Sequence, residues 1–315
     1  IPAIASDDIY PQLGWETPTV RRMMNRSLEV DEWWEDQTDL ARFARIPIGN
    51  IEGDSRAFIA DVAFGRSLTS QNFCVWYSTA ALPDLGGNEE DTGITAFQDP
   101  VKNVEGSYRS ICVELDLFGL AVNTMLNADL VDDIEGAATF GEAGEVDDSD
   151  DASATFPAFR VLKTMIERWY KQAQAGSAQA DEMLMNFYRW LRSPTSKLYD
   201  PRLFQTVRNM IEKVFLQLMA EFRSLGATIV SACFNKVIIC TGKDNVATAQ
   251  QYLDYLIHTI QTGENQLFNR ISFIPRGWWR CLLYKDRANY GGIRLQVDAD
   301  GAADSIPQQI DNVDA

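Results

Sequence analysis

Ala227-Thr-Ile-Val-Ser-Ala-Cys-Phe-Asn-Lys-Val-Ile-Ile-Cys-Thr241 sets two β-rich runs on either side of a short polar interruption, Phe234-Asn235-Lys236. Two such runs joined by three residues predict a β-hairpin. The residues before it have a different period. Leu203, Val207, Met210, Ile211, Val214, Phe215, Leu218, Phe222 and Leu225 fall on one helical stripe, and Gly226 stands where a helix stops. A second helix is expected from Val246 to Ile260, then strands over Ile271 to Ile274 and Trp278 to Tyr284.

Upstream, Ser107 to Phe118 alternates. Ile111, Val113, Leu115 and Leu117 point one way, and Cys112, Glu114 and Asp116 the other, which predicts a half-buried strand. Glu114 and Asp116 then either face solvent or offer metal ligands. Helical spacing recurs over residues 156–172 and 179–192, and Pro194 and Pro201 bracket the connection that follows. Nearer the start, residues 19–45 read as two helices or one interrupted helix, and residues 54–70 as another, leading to Asn72-Phe-Cys-Val-Trp-Tyr77.

The hairpin and the alternating strand together resemble the B-family DNA polymerases. Ser231-Ala232-Cys233-Phe234-Asn235-Lys236 fills the six places of that family's motif C, Tyr-Gly-Asp-Thr-Asp-Ser, so Cys233 and Asn235 stand where the two aspartates belong. Asp116-Leu117-Phe118-Gly119-Leu120-Ala121-Val122-Asn123-Thr124-Met125 follows motif A with its leading aspartate kept. Tyr284-Lys285-Asp286-Arg287-Ala288-Asn289-Tyr290-Gly291-Gly292-Ile293 is similar to the family's Lys-Lys-Arg-Tyr-x-Gly stretch, which makes Lys285, Arg287 and Tyr290 vestigial DNA contacts. The fingers lysine and the Asn-Ser-x-Tyr-Gly run of motif B have no counterpart; Asn186-Phe-Tyr-Arg-Trp-Leu-Arg192 does not match.

The resemblance covers roughly residues 19 to 295 and implies an α+β fold: a degenerate polymerase palm, an antiparallel sheet backed by helices, with reduced fingers helices and an N-terminal helical segment. On that basis residues 1–106 are a helical and extended segment like the exonuclease-to-palm junction, with a turn at Pro83-Asp84-Leu85-Gly86-Gly87. Residues 107–293 are the palm, interrupted by an acidic loop at 129–154, and 294–315 form an acidic tail. Several longer phrases, among them Phe-Asn-Lys-Val-Ile-Ile-Cys-Thr and Asn-Phe-Tyr-Arg-Trp-Leu-Arg-Ser-Pro, resemble the second, degenerate half of one eukaryotic nuclear replicase of this family. The resemblance implies partners as well: the replicase's other subunits and the replicative helicase complex.

The chemistry of nucleotidyl transfer argues against an enzyme here. Two divalent cations about 3.5–4 Å apart must be bridged by carboxylates. Asp116 alone cannot do that, a thiol at Cys233 is a soft donor, and the amide of Asn235 is neutral. No catalytic residue, no metal ligand and no cofactor is therefore expected in this segment. A dead module that still binds primer-template or single-stranded DNA is the alternative to a scaffold, since residues 157–243 hold thirteen Lys and Arg against six Asp and Glu. Such binding is expected to be weak, because a charge excess on helices is more often a solvated face.

Composition bounds the rest. At 315 residues with 46% hydrophobic and 11% aromatic content, the chain can bury a core as one large domain or two. No apolar run of about 18 residues exists to span a membrane. The Ile1-Pro2 opening suggests an internal piece of a longer chain. The net charge of −17 is local: residues 129–154 hold ten acids and residues 298–315 five, with no Lys or Arg in either stretch. Both are expected to be disordered. Five cysteines without a Cys-x-x-Cys pair read as buried thiols in a reducing compartment, and the single His258 as a surface histidine; the resemblance implies that the compartment is the nucleus.

Overall fold

The computed structural model describes residues 16–74, 99–128, 130, 151–263, 266–297 and 303–304. In chain order the elements are helices α1 (Glu16–Leu28) and α2 (Val30–Ala44), a 3-10 turn (Ile48–Asn50), α3 (Ser55–Ser70), strands β1 (Lys102–Asn103), β2 (Gly106–Tyr108) and β3 (Cys112–Phe118), and α4 (Leu120–Leu126). Helices α5 (Asp151–Gln174), α6 (Ala178–Arg192) and α7 (Pro201–Ser224) follow, then the hairpin β4 (Thr228–Cys233) and β5 (Lys236–Cys240), α8 (Val246–Gln261), β6 (Ser272–Tyr284), β7 (Tyr290–Val297) and the short β8 (Ala303–Asp304). The class is α+β.

Local chemistry places the helix starts. Asp54, Ser177, Asp200 and Asn245 each turn a side-chain oxygen onto first-turn N–H groups of α3, α6, α7 and α8. Pro201 adds a pre-set φ at the first position of α7. Gly226 ends α7 at φ +88°, as the stop signal required.

The strands form one antiparallel sheet in the order β1-β4-β5-β3-β6-β7-β8, with β2 also pairing to β6. Helices cover one face. Buried Val207, Ile211, Phe215, Leu218 and Phe222 of α7 share a core with Val113, Leu115, Ile229 and Val237 of the sheet and with Leu253 and Leu256 of α8. The opposite face carries a smaller cluster of Cys112, Val230, Ile238, Cys240, Trp279, Leu282 and Tyr284, with Tyr108 and Tyr290 packed against it. The central strand β3 is therefore buried on both faces rather than half-buried, and Glu114 is 3% exposed.

Other expectations need correction. The two strands expected over Ile271 to Ile274 and Trp278 to Tyr284 are one strand, β6, that starts at Ser272 and runs through Pro275 and Gly277. The β7 pairing begins only at Trp278, so Pro275 lies where one flank of β6 has no β7 partner, and β6 itself bulges at Arg276 opposite Glu114 and Leu115. A proline is tolerated at such a place. Residues 19–45 are two helices, but α1 buries no residue, and Trp33 and Trp34 on α2 are more than half exposed. Cys74 is exposed, Cys233 and Cys281 are intermediate, and only Cys112 and Cys240 are buried. His258 is exposed near the end of α8.

Helix α5 begins at Asp151, inside the stretch expected as an acidic loop, and β7 continues to Val297, past the expected boundary at 293. Residues 131–150, the Pro83-to-Gly87 turn and residues 305–315 lie outside the described residues, as do positions 75–77 of the segment after α3.

Candidate functional site

The carboxyl end of β3 meets the tip of the hairpin. Asp116 pairs in register with Lys236, and Lys236 pairs in turn with Cys233 across the β4–β5 turn. Leu117 N–H donates to the Asn235 carbonyl at 2.8 Å. Asp116, Cys233 and Asn235, about 120 positions apart in sequence, thus come together at one end of the sheet. Gly119 turns the chain from β3 into α4 at φ +79°, and a Cβ there would sit 3.1 Å from the Arg270 carbonyl oxygen. Only glycine suits both the angle and the approach.

A cleft of about 420 Å³ opens at this end, lined by Asp116, Leu184, Tyr188, Ile211, Phe234 and Arg276 among others. Its floor is apolar. Phe234, read as part of a polar turn, is 5% exposed and packs edge-on against Phe215 and Tyr188 at ring separations of 5.3 and 6.1 Å. An aromatic residue between two strands was the available signal. Tyr188 donates its hydroxyl to Asp99 at 2.8 Å, and Arg192 pairs with the other oxygen of that carboxylate at 2.8 Å. Burial first, then the Asp99 contact, pushes the Tyr188 phenol well above its ordinary range.

The cleft's acids are neutralised from within the chain. Arg276 of β6 reaches Asp116 at 3.3 Å. One step back along the same face, Lys236 forms an ion pair with Glu114 and donates to the Tyr290 hydroxyl at 3.1 Å. Burial alone would lower the proton affinity of the Lys236 ammonium, but the Glu114 and Tyr290 hydrogen bonds outweigh it and hold the group above the ordinary lysine value. Glu114 Oε2 has no hydrogen-bond partner among the described residues.

These residues do not fit a pair of divalent cations. The single retained carboxylate is shared with a guanidinium, an ammonium sits beside it, and Cys233 and Asn235 supply a thiol and an amide. Among the described residues, no group of three His, Cys, Asp or Glu side chains is placed to hold a metal. Of the three residues expected as vestigial DNA contacts, Lys285 and Arg287 are exposed in the β6–β7 turn, whereas Tyr290 is packed between Trp279, Tyr284 and Lys236.

The Lys236–Glu114 pair makes a prediction. Lys236→Met strands a buried carboxylate and should cost about 1–3 kcal/mol, discounted because Lys236 is about a third exposed. The double variant Lys236→Met with Glu114→Gln should recover most of that loss, since a buried pair is often close to neutral against its uncharged replacement. The linkage has a definite sign. A folded value above the unfolded one means that the stabilisation is full below about pH 10.4 and is lost as pH rises through the folded value. Urea titrations at pH 8 and above pH 11 should show a smaller alkaline decline in both variants than in the parent chain, since all three share the decline from the raised Tyr188 phenol; an equal decline in all three chains would refute it.

Residues 1–293 match the family described as a domain of unknown function (DUF1744). The chain belongs to the DUF1744 family. Its relatives are named: the DUF1744 chain is 35% identical over 307 residues to a DNA polymerase epsilon catalytic subunit from Emericella nidulans, covering 94% of this chain and 14% of that one. It is 35% identical over 309 residues to a DNA polymerase epsilon catalytic subunit from Arabidopsis thaliana, covering 95% and 14%, and 31% identical over 350 residues to one from Dictyostelium discoideum, covering 93% and 14%. The DUF1744 chain thus spans about 14% of the length of the curated relatives it matches. The replicase that the longer phrases resemble is DNA polymerase epsilon, in the C-terminal half of its catalytic subunit.

Proposed function

We propose that this DUF1744 segment is a noncatalytic structural and interaction module of the DNA polymerase epsilon catalytic subunit. It acts in nuclear DNA replication, in leading-strand synthesis, as a scaffold for the other polymerase subunits and the replicative helicase complex. Its sheet is a degenerate B-family palm, α5 and α6 are reduced fingers helices, and residues 1–106 form the junction segment. The observation that carries this reading is the pair of internal ion pairs, Arg276 with Asp116 and Lys236 with Glu114, at the place a palm would reserve for cations.

Two further features support it. Val20, Met23, Met24, Leu28, Trp33 and Trp34 leave an apolar surface on α1 and α2 of the kind that marks protein contacts. Part of the charge excess of residues 157–243 is met by acids elsewhere in the chain: Arg189 pairs with Asp54, Arg192 with Asp99 and Lys236 with Glu114. That weakens the case for a phosphate track.

Primer extension and primer-template binding test the proposal together. No incorporation is expected with magnesium or manganese, and Cys233→Asp with Asn235→Asp should not create any, because Arg276 and Lys236 still occupy the carboxylates. Binding should be weaker than about micromolar at physiological salt. Incorporation abolished by Asp116→Ala, or submicromolar primer-template-selective binding, would overturn the scaffold reading.

A further inference from the structure

Cys112 of β3 and Cys240 of β5 face each other across the sheet, in register. The Leu117 N–H bond to Asn235 and the Thr241 N–H bond to Ile111 fix which pairs along β3 and β5 exchange backbone hydrogen bonds, and Cys112 with Cys240 falls between them. At such non-hydrogen-bonded sites the Cα atoms approach to about 4.5 Å, which lies within the range a disulfide spans. Both side chains belong to the cluster opposite the helices, with Cys112 wholly buried and Cys240 9% exposed. Cys281 lies on β6 beyond a register shift, and its neighbours Leu282 and Tyr284, rather than Cys281 itself, share that cluster.

We infer that Cys112 and Cys240 form a peroxide-responsive thiol pair that closes as a cross-strand disulfide between the central strand and the hairpin. Cys240 is the attacking sulfur. The neighbouring Cys112 thiol and the Gly242 N–H lower its proton affinity against the opposing effect of burial, while the same neighbour and burial together raise that of Cys112. The Cys112 thiol donates to the Ser110 carbonyl oxygen at 3.5 Å. The Cys240 thiolate attacks one oxygen of hydrogen peroxide, the O–O bond breaks, and hydroxide leaves to be protonated as water. Cys240 is then a sulfenic acid. The Cys112 sulfur displaces the hydroxyl from Cys240, the S–O bond breaks, and that hydroxide leaves as water with the Cys112 proton. Two thiols lose two electrons, and one peroxide is reduced to two waters.

The test treats the whole chain with hydrogen peroxide, blocks free thiols by alkylation, digests without reductant and maps cysteines by mass spectrometry. The expected result is a peptide pair joined through Cys112 and Cys240 and lighter by two hydrogens, with both residues lost from the alkylated pool and regained after dithiothreitol. Cys74→Ser should leave this unchanged. In Cys112→Ala the linked peptides should vanish and a dimedone adduct appear at Cys240; Cys240→Ala should likewise abolish the link, with circular dichroism confirming that each variant is folded. A folded wild-type chain in which both thiols stay alkylatable after excess peroxide, or in which either is bonded to Cys281, would overturn the inference.

Discussion

Asp61→Ala is expected to destabilise the chain by about 3–5 kcal/mol, because it leaves several buried donors unpaired at about 1–3 kcal/mol each. Asp61 lies on α3 at 7% exposure. Its carboxylate accepts from Trp190 Nε1 at 2.9 Å, Ser196 Oγ at 2.5 Å, Lys197 N at 2.9 Å and Leu198 N at 3.4 Å. Alanine would leave all four donors without that acceptor, two of them in the backbone of the turn that links α6 to α7. Asp61→Asn keeps the shape and part of the acceptor capacity, so a smaller loss of about 1–3 kcal/mol is expected. Urea unfolding followed by tryptophan fluorescence would measure both. A loss below about 1 kcal/mol for the alanine variant would mean that water replaces the carboxylate without penalty.

Phe215→Ala should be equally damaging, about 3–5 kcal/mol, and Leu218→Ala about 2–5 kcal/mol. Phe215 is 2% exposed and Leu218 fully buried on the sheet-facing stripe of α7. Phe215 also stands edge-on to Phe234 at the hairpin tip, so its removal opens a cavity directly beneath the cleft. Asp116→Ala provides the contrast. Its partner Arg276 is 67% exposed, and a pair so open to solvent contributes about 1 kcal/mol or less. If denaturant titrations ranked Asp116→Ala above Phe215→Ala, the cleft's charged rim rather than its apolar floor would be what holds the hairpin in place.

The parts of the molecule that could be read from the sequence are those written in local periodicity. The stripe of α7, the stop at Gly226 and the turn at Asn235 each follow from residues within a few positions of one another. The pairing of Asp116 with the hairpin was reached differently, through motif order. Long-range partners left no local trace. Glu114 looked like a solvent-facing acid because its alternation was visible and Lys236, 122 positions on, was not. Asp61, inside the helix expected over residues 54–70, carries no local mark of its role because Trp190 and the 196–198 turn are equally remote. Residues 271–274 and 278–284 read as two strands, when the missing β7 neighbour on one flank is what allows a continuous one through Pro275.

That continuous strand ties the molecule's two faces into a single mechanical unit. Phe273 and Trp278 of β6 lie in the core under the helices, while Trp279, Leu282 and Tyr284 of the same strand lie in the cluster on the far side. Peeling β6 away would uncover both at once. Neither face has an independent route to unfolding, because local opening is confined to segments whose release exposes little apolar surface. A load applied to the β6–β7 turn, where Lys285 and Arg287 project, is therefore carried along one backbone, through the bulge at Arg276, to the residues of β6 that pair with Asp116 and its neighbours.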